Sequence, residues 1–453
     1  MATGISAHEK LSEDALTATM PHRDPHPLPG DRDEPLLIYP NRLPESEILQ
    51  PLPAGFSRIS KGGVPTQVEE IKPNSLVLAD NLFGLHGLIA SGQKATLIYL
   101  DPPYNTGMDF QSRQLQHAYK DTRGVAAYVE FMRRRLILMR EILADDGSIY
   151  IHIGHQMLAH LKVVMDEVFG EKNFRNIIAR RKCSSKNFTS LQYANLSDYI
   201  IFYTKTSKYK WNKPGEQPEQ AWIEKEYPKI DARGRYKLVP VHAPGPRNGE
   251  TGSMWRGMMP PPGKHWQYKP SKLDEFDKAG EIHWSRNGNP RRKLYLTTDK
   301  LVPYTDYWAG FRDAHHQSIM ITGYPTEKNL SMLRMIVGAS SEPGDLVVDP
   351  FCGSATTMHA ADDLGRKWVG IDDSFAAMKA SITRFRHGLE PMGDYVDRTT
   401  EVESENLGDT KALDLFDTAK KKKSPLRPVD FSFLVDDELL GAFGPQIRDL
   451  AAI

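Results

Sequence analysis

Two runs of alternating apolar strands and helices, separated by a long stretch with no long periodic helix, constrain this chain more than any other feature. In the first run, Leu76-Val77-Leu78 reads as a short buried strand, Leu82 to Ala90 as a helix and Ala95 to Leu100 as a continuous apolar strand. Unbroken apolar strands of this kind belong to parallel sheets covered on both faces. Val125 to Leu143 carries apolar residues at helical spacing and is stopped by Gly147; Ile149 to Ile153 is a further strand, and Met157 to Phe169 a further helix ending at Gly170. Asn176 to Arg180 and Asp198 to Tyr203 read as a terminal hairpin of the same sheet. After Thr326 the pattern resumes, with a helix over Glu327 to Ala339, a strand over Asp345 to Val348, a helix over Ala355 to Leu364 and a strand over Lys367 to Ile371. The alternation predicts an α/β fold, a doubly wound sheet of Rossmann type.

Between the two runs the chemistry changes. From Lys205 to Lys300 there are 20 Lys or Arg against 11 Asp or Glu, with eleven prolines. Six of the seven tryptophans (211, 222, 255, 266, 284 and 308) fall in or just after this stretch. The whole chain balances 58 basic against 58 acidic residues, so a polyanion preference has to be local, and it is local here. Basic residues interleaved with aromatics suit phosphate contact with base or sugar packing; an irregular β-rich insert with a small tryptophan core and a solvated basic surface fits the same composition. Arg180, Arg181 and Lys182 beside the hairpin, and Arg256, Lys264, Arg291 and Arg292 in the insert, are the candidate contacts to such a polyanion. No apolar run approaches the ~18–20 residues that cross a bilayer, so no membrane role is expected, and the polar, acidic first 29 residues lack the regions of a signal peptide. A cytoplasmic protein is expected. Two cysteines, Cys183 and Cys352, build neither a disulfide framework nor a Cys-rich zinc site, so no metal is expected.

Two motifs carry the chemistry. Asp101-Pro102-Pro103-Tyr104-Asn105-Thr106-Gly107 follows the apolar strand directly, at the carboxyl end where open parallel sheets bind ligands. An Asp side chain and a proline carbonyl are both acceptors that hold the two hydrogens of an exocyclic amine, leaving its lone pair for an electrophile. The prolines stiffen the loop, and Tyr104 offers a flat face to a base. The second motif is Val347-Val348-Asp349-Pro350-Phe351-Cys352-Gly353-Ser354, an apolar strand running into a small-residue turn that opens a helix. About 20 residues on, Gly370-Ile371-Asp372 ends the next strand in acid, the spacing at which a carboxylate accepts from ribose hydroxyls. Together they describe a nucleoside-cofactor pocket. His315-His316, with no other ligands nearby, reads as surface.

Paired in this way, the motifs resemble those of amino-methylating, site-specific DNA methyltransferases that use S-adenosyl-L-methionine, in particular the modification subunits of type III restriction systems. Ala79-Asp80-Asn81-Leu82 and Tyr324-Pro325-Thr326-Glu327-Lys328-Asn329 also match family motifs, and the likeness spans about Ala79 to Ser374. The motif order matches the β class, whose methyltransferase fold is permuted, with the catalytic half before the cofactor half and a target-recognition domain inserted between. The resemblance implies that Asp101 and the Pro102 carbonyl hold the target amine, with Pro103 in the same loop and Tyr104 on the flipped base. It implies further that Asp349, Phe351, Gly353 and Asp372 serve the cofactor, with Asp80, Thr326 and Lys328 near it; an N-cap at Asp80, another cap at Thr326 and a solvated lysine at Lys328 stay open. Ala355 stands where many members have Gly and fits if its φ is negative.

The expected organisation is a loosely ordered arm (1–60), a catalytic half (61–204), the recognition insert (205–310), a cofactor half (311–398), and a linker with a C-terminal docking tail (399–453). The resemblance implies methylation of adenine N6 in a specific double-stranded DNA sequence, because an initial Asp in the amine motif leans to adenine. Cytosine N4 methylation and a non-catalytic specificity subunit stay open, as do a homodimer and a restriction or phage-defence partner docked on the tail.

Overall fold

A computed structural model describes residues 36–53, 55–105, 109–111, 117–120, 124–183, 193–312, 320–321, 328–387, 390–391 and 430–453. Thr326, Thr106, Gly107 and the His315-His316 pair lie outside them. The main sheet has eleven strands: β1 (Phe56–Ile59), β2 (Pro65–Val68), β3 (Ser75–Leu78), β4 (Ala95–Leu100), β5 (Leu143–Ile153), β6 (Phe174–Arg181), β7 (Ser197–Thr204), β8 (Tyr307–Trp308), β9 (Leu346–Asp349), β10 (Lys367–Asp372) and β11 (Ser432–Asp436). Their spatial order is β8-β6-β7-β5-β4-β9-β10-β3-β11-β1-β2, and the run from β5 to β11 is parallel. Strands β3, β4 and β9 are buried along their whole length. Helices α1 (Asn81–Ala90), α2 (Val125–Ile142) and α3 (His155–Phe169) pack on one face through Leu85, Leu136 and Leu161. Helices α4 (Leu330–Ser340), α5 (Thr356–Asp363), α6 (Phe375–His387) and α7 (Asp437–Ala452) cover the other through Ile336, Met358, Ile382 and Ile447. This is the α/β arrangement expected, helices on both faces of a mostly parallel sheet.

Three elements differ from the sequence reading. Residues 432–436, read as part of a docking tail, form β11 inside the protein's own sheet, between β3 and β1, with Phe433, Leu434 and Val435 buried. An apolar segment satisfies its backbone by pairing with a strand edge, and here the edge is its own. Residues 56–59, within the expected arm, are β1 of the same sheet. The β6–β7 hairpin is not terminal, because Tyr307 and Trp308 add a parallel strand beyond it. In addition, α2 ends at Ile142 and β5 starts at Leu143 without an intervening loop.

The basic stretch folds on a separate four-stranded sheet (Lys229–Asp231, Gly234–Pro240, Pro290–Tyr295, Ile282–Trp284) with a helix over Pro270–Lys278. Its core holds Trp255, Trp266, Val241, Leu273 and Ile282, with Trp284 packed against them. The three indole nitrogens donate to Asp274, the Ser253 carbonyl and Asp277, each at 2.9 Å. These tryptophans are therefore core, not base-stacking surface. Trp211 stacks on Phe202 of β7, and Trp308 is buried against the main sheet.

Candidate active site at the strand carboxyl ends

The register puts Val348 of β9 opposite Ile98 of β4 on one side and Val369 of β10 on the other. Two motifs some 250 residues apart in sequence are thereby brought to adjacent strand ends, with Asp101, Asp349 and Asp372 at one edge of the sheet. In the first loop, Asp101 Oδ1 accepts from the Tyr104 hydroxyl at 2.9 Å, and Oδ2 lies 2.7 Å from Lys328 Nζ. Tyr128 of α2 donates to the Pro103 carbonyl at 2.6 Å, pinning the turn. Asn105 leaves it with φ +56, a conformation Asn tolerates. The Tyr104 ring lies 6.2 Å from the His152 ring, and Gly154 lets the two chains approach, since a Cβ there would meet Tyr104 Cδ2 at 3.0 Å.

Beneath this loop lies a buried polar chain that the sequence reading missed. The Tyr99 hydroxyl is 2.8 Å from His152 Nδ1, His152 Nε2 is 3.0 Å from Asp198 Oδ2, and Arg180 clasps Asp198 at 2.8 and 2.6 Å. Burial pushes the His152 imidazole below its ordinary value. Burial alone would raise Asp198, but His152 and Arg180 outweigh it and hold the carboxyl well below the usual range. The available signal was a histidine inside the apolar strand Ile149 to Ile153, at the carboxyl end where the site lies.

In the second motif, Asp349 is buried and turns the chain. Its Oδ1 accepts from the Phe351 amide at 3.0 Å and its Oδ2 from the Thr357 hydroxyl at 2.6 Å. Asp372 accepts from the amides of Gly353 at 2.9 Å and Ser374 at 3.0 Å. Burial raises the Asp349 carboxyl to about 7 against these donors, and burial with neighbouring Asp373 raises Asp372 to about 7. Ser381 donates to the Gly353 carbonyl and Arg384 to that of Ser354, each at 2.8 Å, so α6 braces the turn. Gly353 has φ +51, and Ala355 has φ +56 where a negative value was expected. A left-handed Ala costs roughly 1–2 kcal/mol, and the bracing holds it there. Phe351 meets Phe131 edge-on at 6.1 Å.

Asp80 is the N-cap of α1, accepting from the Leu82 amide at 2.7 Å, and it pairs with buried Arg135 at 2.7 Å. Arg135 also donates to Asn81, whose amide nitrogen donates to the Pro350 carbonyl at 2.8 Å. The capping alternative thus describes Asp80, while Arg135 and Asn81 tie α2 to the turn. Lys328 is not a solvated lysine: its side chain is 11% exposed and sits on Asp101.

The candidate DNA contacts divide. Arg180 is corrected outright: it is 0% exposed and spent on Asp198, so it presents no charge to a backbone phosphate. Arg256 is held by Asp274 and Asp277, and Arg292 by Glu281 and the Phe276 ring. Arg181 donates to the Cys183 carbonyl at 3.1 Å, and Lys182 lies at the end of the same strand. Lys264 and Arg291 are exposed.

A glycine turn braced by an acid-ended strand lies side by side with an Asp-Pro-Pro-Tyr loop on the next strand of a doubly wound sheet, the arrangement that the resemblance to S-adenosyl-L-methionine-dependent methyltransferases implies. Residues 95–382 match the N6/N4 methyltransferase family described as DNA methylase, and the chain belongs to that family. It is 58% identical over 369 residues to the type II methyltransferase M.EcaI of Enterobacter cloacae, covering 82% of this chain and 81% of that one. It is 28% identical to the type III StyLTI Mod subunit of Salmonella typhimurium over 63% of this chain and 49% of the subunit, about half its length. Among solved structures it is similar to the M1.HpyAVI complex with S-adenosyl-L-methionine, with TM-score 0.36 and 14% identity over 68% of this chain and 98% of that one. The protein is therefore a DNA methyltransferase of the restriction–modification kind, dependent on S-adenosyl-L-methionine. No helix among the described residues is long and apolar enough to cross a membrane.

Proposed function

We propose that this enzyme methylates the N6 amine of adenine within a specific double-stranded DNA sequence. The observation that carries this reading is the position of Asp101 and Tyr104 in the loop that ends β4, the strand beside the braced turn. An exocyclic amine inside a duplex is already paired, so the target base leaves the stack at a cost of roughly a few kcal/mol. Tyr104 receives its face, and Asp101 and the Pro102 carbonyl accept its two N–H bonds, aiming the nitrogen lone pair. S-adenosyl-L-methionine supplies an electrophilic methyl group. As positive charge develops on the nitrogen, the two acceptors stabilise it, and Asp101 stands ready to take the released proton. Asp349 shapes the turn whose Phe351 and Gly353 would hold the cofactor, and Asp372 would accept from its ribose hydroxyls.

Adenine is favoured over cytosine because the amine motif opens with Asp, the residue that family resemblance associates with adenine. The insert supplies sequence recognition, with exposed Arg291 and Lys264 among its phosphate contacts. The alignment runs along four-fifths of a type II methyltransferase but only half of a type III Mod subunit, which favours a type II setting for the reaction. Purified protein is incubated with bacterial genomic DNA and labelled S-adenosyl-L-methionine, followed by nucleoside analysis and mapping of modified positions. Labelled N6-methyladenine at one recurring sequence is expected, lost in Asp101→Ala with DNA binding retained. Labelled N4-methylcytosine overturns the base assignment, and an active Asp101→Ala overturns the site.

A further inference from the structure

We propose that Lys328 is a placeholder for the target amine, so that base entry is an exchange in which Lys328 gives up Asp101. The proposal rests on the reading of Asp101 and Tyr104 as the base-binding pair. One ammonium group occupies both: Lys328 Nζ is 2.7 Å from Asp101 Oδ2 and 5.3 Å from the centre of the Tyr104 ring. The side chains are 11% and 17% exposed, so this is an enclosed contact rather than a surface pairing. Lys328 directly precedes Asn329, whose side chain caps α4 by accepting from the Met332 amide. Its backbone is thereby anchored at a helix start, and rotation about the bonds of its four-carbon stem is what would carry the ammonium off Asp101.

An ammonium has donors and no acceptor, so the incoming amine cannot bond to it and the two compete for one carboxylate. The cation also covers the aromatic face on which a base would stack. A cation left in place would oppose the positive charge that grows on the attacking nitrogen, so the productive complex requires it gone. In the absence of DNA it does useful work, since a largely buried carboxylate with no cation would be costly. The exchange also selects. A base bearing an exocyclic amine replaces both contacts, whereas a base without one leaves Asp101 unpaired, the kind of loss that rejects analogues most strongly.

The test uses the full-length protein and a duplex carrying its mapped recognition sequence with 2-aminopurine at the target position. This fluorescent base lacks the 6-amine and brightens when unstacked. Wild type is expected to extrude it weakly, because the probe cannot replace Lys328 on Asp101. Lys328→Met and Lys328→Gln, both checked for a wild-type melting transition, should raise the signal several-fold, and Lys328→Arg, which keeps the cation, should restore the low signal. If both neutral variants stay as dim as wild type, the placeholder role is wrong. If Asp101→Ala and Tyr104→Ala both keep wild-type methylation, the base-pocket reading fails instead, and the proposal with it.

Discussion

The backbone amide of Gly353 donates to Asp372 Oδ2 at 2.9 Å, joining the turn after β9 to the acidic end of β10. One carboxylate therefore fixes the turn, and in the proposed function it would accept from the cofactor's ribose. Burial, reinforced by Asp373, raises that carboxyl to about 7. Its ionised form, the stronger acceptor, is scarce at pH 6 and dominant at pH 8, so affinity for S-adenosyl-L-methionine should rise across that window and then level off. In the unliganded protein the sign is opposite for stability: the folded state holds the extra proton between ~4 and about 7, so this group's contribution declines as pH rises. Calorimetric titration at several pH values checks the affinity, and Asp372→Asn should bind weakly with a flatter pH slope.

Gly154 carries no unusual backbone angle; its missing side chain is what matters. A Cβ there would lie 2.5 Å from Gln156 Oε1 and 3.0 Å from Tyr104 Cδ2. Gly154→Ala should push the Tyr104 ring off its seat, costing about 1–3 kcal/mol of stability by overpacking. Activity should fall further, by up to roughly 100-fold, since misplacement by about 1 Å costs that much. Comparing denaturant midpoints with single-turnover methylation separates the two effects, and unchanged turnover would show that Tyr104 needs no support from this side.

Arg180 and Arg291 look alike in sequence and should behave oppositely. Arg180→Ala strands buried Asp198 without its guanidinium partner, a change worth about 3–5 kcal/mol, visible as a lower denaturation midpoint. Arg291→Ala should leave the midpoint alone, weaken DNA binding and reduce its salt-dependence slope by about 1. A salt slope lowered by Arg180→Ala without loss of stability would return that residue to the DNA surface.

Deleting residues 431–453 removes β11 from between β3 and β1 and uncovers both faces of the sheet, the one that Phe433, Val435, Ile447 and Leu450 cover and the opposite one that Leu434 covers. The truncated chain should be insoluble or lose its cooperative melting transition. A soluble truncation with unaltered S-adenosyl-L-methionine affinity would mean that the segment is an appendage.

The sequence by itself determined the elements and the chemistry that each carries. Unbroken apolar runs marked β3, β4, β9 and β10, because a parallel strand buried on both faces has no polar side to show. The loop after β4 and the turn after β9 were legible because amine acceptance and close backbone approach to a nucleoside demand particular residue types in short order. Only the tertiary structure decided which strands are neighbours. Strand pairing is non-local, so nothing in residues 432–436 announced that their partner edge is β3, more than 350 residues earlier. The same holds for side chains. A basic residue in a basic run reads as surface, and Arg180 became core only because Asp198 lies opposite it across the hairpin. Lys328 lies far from Asp101 along the chain, and only the packing of α4 against the sheet puts its ammonium on that carboxylate.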